Sequence, residues 1–201
     1  MGRTVVFTVL GYLSGSLLFA RYWGKWCRGR NVVEESPDQN PGTFNAFQYG
    51  GFVCGTLTLC GDLLKGFLPV FLYCRERPWE LGLALVLAAP VWGHVLPLYH
   101  GFRGGKGVAV TFGCLLGLLP KRRPLLLLAF VFLFFSLVVK ITPNYHRTLA
   151  AYVAAALGMV LFVPDPGVVL GFGLISVVVI GKLLHSTERK ESCKVEIVWK
   201  R

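Results

Sequence analysis

The chain of 201 residues is 54% hydrophobic and only 15% charged, with a mean hydropathy of +0.60. A soluble domain carries about a quarter charged residues, so the composition excludes a water-soluble globule and defines one polytopic membrane domain over residues 1–201. The formal net charge of +11 does not point to nucleic acid, because loop cations in a membrane protein fix orientation and attract anionic headgroups or substrates.

Apolar segments recur at 4–23, 52–73, 81–99, 107–119, 125–140, 148–163 and 167–184. A span takes about 20 residues, so the fourth to sixth are extended by their flanks or packed inside the bundle. The expected fold is all-α, a transmembrane helix bundle of about seven spans. The first run passes directly into more membrane-like segments, which is not the pattern of a cleaved leader. With the N-terminus outside and the C-terminus inside, fourteen Lys and Arg residues face the cytosol and six face out, with the Lys121–Arg123 cluster as the exception. That is the orientation the positive-inside rule favours. It gathers the loop over 24–50, a glycine-rich turn and the region from Lys182 onward on one side, joined by Lys140 to Arg147. The six cysteines show no C-x-x-C pair and read as small hydrophobes.

Between His94 and Val110 two apolar segments are separated by HVLPLYHGFRGGKGVAV. Gly101, Gly104, Gly105 and Gly107 let backbone approach a ligand closely. Successive amides there form an anion nest, a helix beginning at Gly107 adds its positive end, and Arg103 and Lys106 supply full charges. The stretch reads as a phosphate seat where a membrane helix ends.

In the first loop, Asn40, Gly42 and Asn45 sit in a turn-forming run; the two amides are donors for phosphate or hydroxyl oxygens, although such runs are often turns alone. Asp62 and Lys65 share a helix face at i,i+3. They form either part of a site or a self-neutralising pair with the lysine reaching for the interface. His94 is either a packed histidine or a catalytic one aimed at the phosphate seat. His185 is a weaker candidate. There is no G-x-x-x-x-G-K-[ST], G-x-S-x-G or H-E-x-x-H, and Leu98 rather than Asp stands four after His94. A covalent enzyme intermediate, a bound metal or a cofactor is therefore not expected.

His94-Val95-Leu96-Pro97 followed by Phe102-Arg103-Gly104-Gly105-Lys106-Gly107-Val108-Ala109 resembles the signature of the bacterial acyl-phosphate:glycerol-3-phosphate acyltransferases. Asp62-Leu63-Leu64-Lys65-Gly66 is similar to that family's second-helix motif. Gly15-Ser16 and Asn40-Pro41-Gly42, with Asn45, resemble parts of its first. The resemblance implies a seven-spanning bacterial inner-membrane enzyme with a cytosolic site and no cofactor. Its substrates would be acyl phosphate and glycerol 3-phosphate, the acyl tail staying among membrane lipid, and its products lysophosphatidic acid and phosphate, the opening acylation of phospholipid synthesis. Lys106 and the neighbouring amides would bind phosphate, and His94 would orient or polarise the acceptor. Asn45 would join them in catalysis. Ser16, Asn40, Gly42, Asp62, Lys65, Arg103, Gly104, Gly105, Gly107 and His185 would bind substrate.

This chain departs from the family pattern at Asp38 and Phe44, where serine and threonine are usual, and at Glu34 and Gln48, where arginines are. The late H-x-x-N-I motif is His185-Ser186-Thr187-Glu188-Arg189. Each charge-assisted hydrogen bond lost at a two-anion site costs about 1.5–3 kcal/mol, unless Arg147 or Arg103 compensates. Two further readings stand beside the enzyme. One is a catalytically degenerate member that binds acyl phosphate or lysophospholipid as a regulator. The other is an anion carrier, disfavoured because no repeat or pair of broken helices is evident.

Overall fold

The computed structural model describes residues 2–29, 31, 33–36, 38–76, 81–186 and 192–198. Pro37, the Thr187-Glu188-Arg189 part of the late motif, and Arg30, Arg77, Lys190, Lys200 and Arg201 of the charge tally lie outside them. The elements in order are α1 (Gly2–Gly15), α2 (Phe19–Arg28), α3 (Thr43–Cys74), α4 (Leu83–Val95), α5 (Val108–Leu116), α6 (Arg123–Leu133), β1 (Val139–Thr142), α7 (Asn144–Phe162), α8 (Pro166–Leu184) and β2 (Lys194–Ile197). A π turn over Phe134–Val138 extends α6.

Five segments, Gly2–Arg28, Thr43–Cys74, Leu83–His100, Asn144–Phe162 and Pro166–Leu184, are long and apolar enough to cross a membrane. Arg123–Val138 is a shorter apolar helix, and α5 is shorter still at 9 residues, roughly 14 Å long at 1.5 Å per residue. The seven apolar runs read from the sequence are thus seven helical segments of unequal reach. Leu64, Leu68 and Leu72 on α3, and Val153, Leu157, Val160 and Leu161 on α7, are exposed. Such aliphatic faces suit lipid and would be anomalous in water.

α4 is the hub. Nearly all of it is buried, and it packs on α1, α3, α5 and α8. The α1–α4 approach is so close that a Cβ on Gly15 would sit 2.1 Å from the Pro90 carbonyl oxygen, and one on Gly93 2.1 Å from that of Tyr12. Small residues allow this contact between membrane helices. Around α4, whose own Leu87 is fully buried, the core closes with Val70, Leu115, Tyr152, Phe172 and Ile175.

Three departures from the expected spans have identifiable partners. The run over 4–23 is not one helix: it breaks at Ser16–Leu18. There the Leu17 carbonyl accepts a hydrogen from Lys65 Nζ at 2.6 Å, and Ser16 Oγ accepts from the Leu98 backbone N–H at 3.2 Å. α3 begins nine residues before its apolar stretch but kinks at Gly51 (φ +81°), immediately before the expected start at 52. The kink leaves the Gly50 carbonyl to Arg28, whose Nε donates to it at 3.0 Å. The run over 125–140 ends early, because β1 pairs antiparallel with β2, Ile141 opposite Val195 and Thr142 opposite Lys194.

Candidate active site

The glycine-rich turn folds back on the end of α4. The Gly105 N–H donates to the His94 carbonyl at 3.1 Å, satisfying an acceptor that a helix C-terminus leaves open. A Cβ at Gly104 would lie 1.9 Å from that same oxygen, and one at Gly105 2.3 Å from His94 Nε2. These two glycines are required by packing on α4. The Gly105 amide, engaged internally, does not serve the anion nest expected of it. Gly107, at φ +78°, turns the chain into α5.

Beside this turn opens a cavity of about 580 Å³. Its polar wall carries Asp38, Asn40, Thr43, Asn45, Lys106 and Arg147, with Asp62 and His94 at its base. Its apolar wall is made by Leu59, Phe112 and Phe132. Three helix starts border it: Thr43–Asn45 of α3, Val108–Ala109 of α5 and Asn144–Thr148 of α7. Each helix N-terminus carries partial positive charge and outward N–H groups.

Asp38 organises the polar wall. Its Oδ1 accepts from Asn45 Nδ2 at 2.7 Å and from the Asn40 N–H at 3.3 Å, while Oδ2 lies 3.4 Å from Lys106 Nζ. Asn45 Nδ2 also donates to the Asn40 carbonyl at 3.0 Å. Arg147 donates from Nη2 to Asn144 Oδ1 at 2.6 Å. Two buried polar atoms in this wall, Asn40 Oδ1 and Arg147 Nε, have no hydrogen-bond partner. Asp62 Oδ1, at the base, likewise has no hydrogen-bond partner, so residues of this lining carry buried polar groups without protein hydrogen bonds.

The structure therefore brings Asn40, Gly42, Asn45, Asp62, His94, Lys106 and Gly107 to one cavity. Lys65 lies behind the wall, its side chain 2% exposed against Asp62 at 2.8 Å. Arg103 is exposed and outside the lining. Ser16 is buried, donating to the Tyr12 carbonyl at 2.9 Å while it anchors Leu98. His185 is exposed at the end of α8, its Nδ1 2.8 Å from the Gly181 carbonyl. Glu34 accepts from Asn31 Nδ2 at 2.7 Å in a turn away from the lining, whereas Phe44 and Gln48 face the cavity. The α7 contribution was the part of the wall that sequence reading assigned least firmly. Its signal is Pro143-Asn144, a helix start, with Arg147 one turn later.

Fold and site together define an integral membrane helix bundle with a cavity at one end that is lined by Lys106, Arg147, two aspartates and an apolar wall. Relatives agree with that class. The profile of the family described as Glycerol-3-phosphate acyltransferase matches residues 5–193. Glycerol-3-phosphate acyltransferase 2 of Thermotoga maritima is 33% identical over 195 residues, 92% of this chain and 95% of that protein. Glycerol-3-phosphate acyltransferase of Pseudomonas aeruginosa (strain LESB58) is 43% identical over 127 residues, 60% of this chain, and the match spans 62% of the length of that relative. The crystal structure of PlsY (YgiH), an integral membrane glycerol 3-phosphate acyltransferase, in its glycerol 3-phosphate form, superposes with a TM-score of 0.77 at 25% identity, over 89% of this chain and 87% of that one. The chain belongs to the glycerol-3-phosphate acyltransferase family.

Proposed function

We propose that the protein transfers a fatty acyl group from acyl phosphate to the 1-hydroxyl of glycerol 3-phosphate, at a site facing the cytosol of a bacterial inner membrane. The observation that carries this reading is the convergence of three helix starts, Lys106 and Arg147 on a cavity whose opposite wall is apolar. The hydroxyl oxygen attacks the acyl carbon and the bond from that carbon to the phosphate oxygen breaks. The products are lysophosphatidic acid and hydrogen phosphate. The donor brings its own leaving group, so the protein's work is to hold two anions together and offset their charge. The acyl tail lies against Leu59, Phe112 and Phe132.

The departure at Gln48 removes a cation from the lining while that at Glu34 lies away from it, and Lys106 and Arg147 remain in the wall. A helix start contributes about 0.3–1 kcal/mol to anion binding, up to ~2 when partly buried. Three of them are comparable to one charge-assisted hydrogen bond of about 1.5–3 kcal/mol, and Arg147 adds a full charge.

The test is purified protein in lipid nanodiscs with acyl phosphate and labelled glycerol 3-phosphate. Wild type should form labelled lysophosphatidic acid. Lys106→Ala should lose roughly 10- to 100-fold, the equivalent of one charge-assisted bond. Wild-type turnover no faster than Lys106→Ala would end the proposal. One observation favours the regulatory alternative: the Asp38 carboxylate already sits on Lys106 and Asn45, as a bound anion would. That reading expects acyl phosphate to raise the unfolding temperature without phosphate release, and multiple turnovers would exclude it.

A further inference from the structure

Behind the cavity wall, Lys65 Nζ has three protein partners within hydrogen-bond reach: Asp62 Oδ1 at 2.8 Å, the Leu17 carbonyl at 2.6 Å and His94 Nδ1 at 2.8 Å. The side chains of Lys65, Asp62 and His94 are each 2% exposed. The Leu17 carbonyl can only accept, so Nζ donates there. The Asp62 carboxylate receives Thr43 Oγ1 at 3.4 Å on Oδ2, while Oδ1 faces the ammonium as an ion pair. Paired with the carboxylate, Lys65 is an ammonium, which has donors and no acceptor, so in the 2.8 Å contact with His94 Nδ1 the lysine donates. The break after α1 and the i,i+3 placement of Asp62 on α3 fix this geometry from both sides.

We infer that Lys65 is a positioning residue that donates to Nδ1 of His94 and thereby holds the ring hydrogen on Nε2, presented to the cavity. The partner of one ring nitrogen decides the tautomer of the other. Nε2 is the nitrogen against Gly105, where an added Cβ would come within 2.3 Å of it and 3.1 Å of Asn40 Oδ1. His94 is then a hydrogen-bond donor to a substrate oxygen, not the base that removes the hydroxyl proton. In the transfer step that proton ends on the departing phosphate, and the ring returns unchanged. The identity of the oxygen rests on the acyl-transfer reading. The tautomer does not.

Two measurements separate these. The protein is labelled with 15N-histidine in nanodiscs, and His94 is assigned by the signal missing in His94→Gln. The expected spectrum has a hydrogen-bonded, unprotonated Nδ1 and a protonated Nε2. In Lys65→Met, or the charge-neutral pair Asp62→Asn with Lys65→Met if the single variant does not fold, both tautomers should appear. A protonated Nδ1 in wild type, as either the other tautomer or the imidazolium, overturns the inference whatever the activity. In the kinetic arm, Lys65→Met should lower kcat roughly tenfold or more while KM for glycerol 3-phosphate stays within about twofold. A rise in KM at unchanged kcat would make Lys65 a substrate ligand and also overturn it. Absence of turnover in wild type, with the expected spectrum, would defeat the acyl-transfer reading and leave the tautomer standing.

Discussion

Gly104 shows how one atom's absence sets the site. With a Cβ it would collide with the His94 carbonyl at 1.9 Å, a backbone atom at the end of the most buried helix. Overpacking of this kind costs about 1–3 kcal/mol. Gly104→Ala should therefore lower the thermal unfolding midpoint in detergent and displace Lys106 enough to depress acyl transfer. Asp38 poses the opposite question, since its carboxylate holds the donors that a phosphate needs. Asp38→Ser removes that internal competitor. Calorimetric titration with glycerol 3-phosphate should show binding tightened by roughly tenfold, about 1.4 kcal/mol. Weakened binding would mean that Asp38 orients Lys106 and Asn45 for the ligand instead of opposing it.

At the level of elements, the strand pair β1–β2 stands directly before the start of α7, which supplies Asn144, Arg147 and Thr148 to the cavity. Deletion from Ser192 onward unpairs β1. KM for glycerol 3-phosphate should rise several-fold with kcat less affected, measured on protein that still elutes as a folded species. Sequence reading located the helices and the boundary at residue 52, because hydropathy reports what lipid touches. It singled out His94 and Lys106 because a polar, glycine-rich break between apolar runs stands out, and Asn45 from a turn-forming loop and the family resemblance. It could not foresee the break at Ser16–Leu18, which Lys65 stabilises from a distant part of the chain. Nor could it foresee β1, where apolar Val139 and Ile141 look like the tail of a span. Three helix starts meeting at one cavity is a tertiary fact, and local patterning announced the one at Gly107 alone.

Among the described residues, the charged contacts other than the buried Lys65–Asp62 pair separate into two ends. Arg3 pairs with Glu76 and Lys121 with Asp165 at 2.8 Å at one, while Asp38, Lys106 and Arg147 gather at the other. The cations of both pairs at the first end, Arg3 and Lys121, are among the six that the positive-inside count puts on the outer face. With Cys60 and Cys193 replaced by serine, a cysteine at exposed Arg103 should react with a membrane-impermeant maleimide only in inverted vesicles. One at exposed Arg122 should react only in right-side-out vesicles. The reverse pattern would invert the topology.

The bend at Gly51 has a consequence for logistics. From Phe52 to Cys74 a helix is roughly 35 Å long, close to the ~30 Å oily layer of a bilayer, so what precedes the bend, Asn45 and Gln48 included, is lifted to headgroup height. The proposed sugar-alcohol phosphate would reach that level without leaving water, and the proposed fatty reactant without leaving grease. On the proposed reaction the lysolipid product would form already moored at the leaflet surface, with no shuttle needed to deliver it.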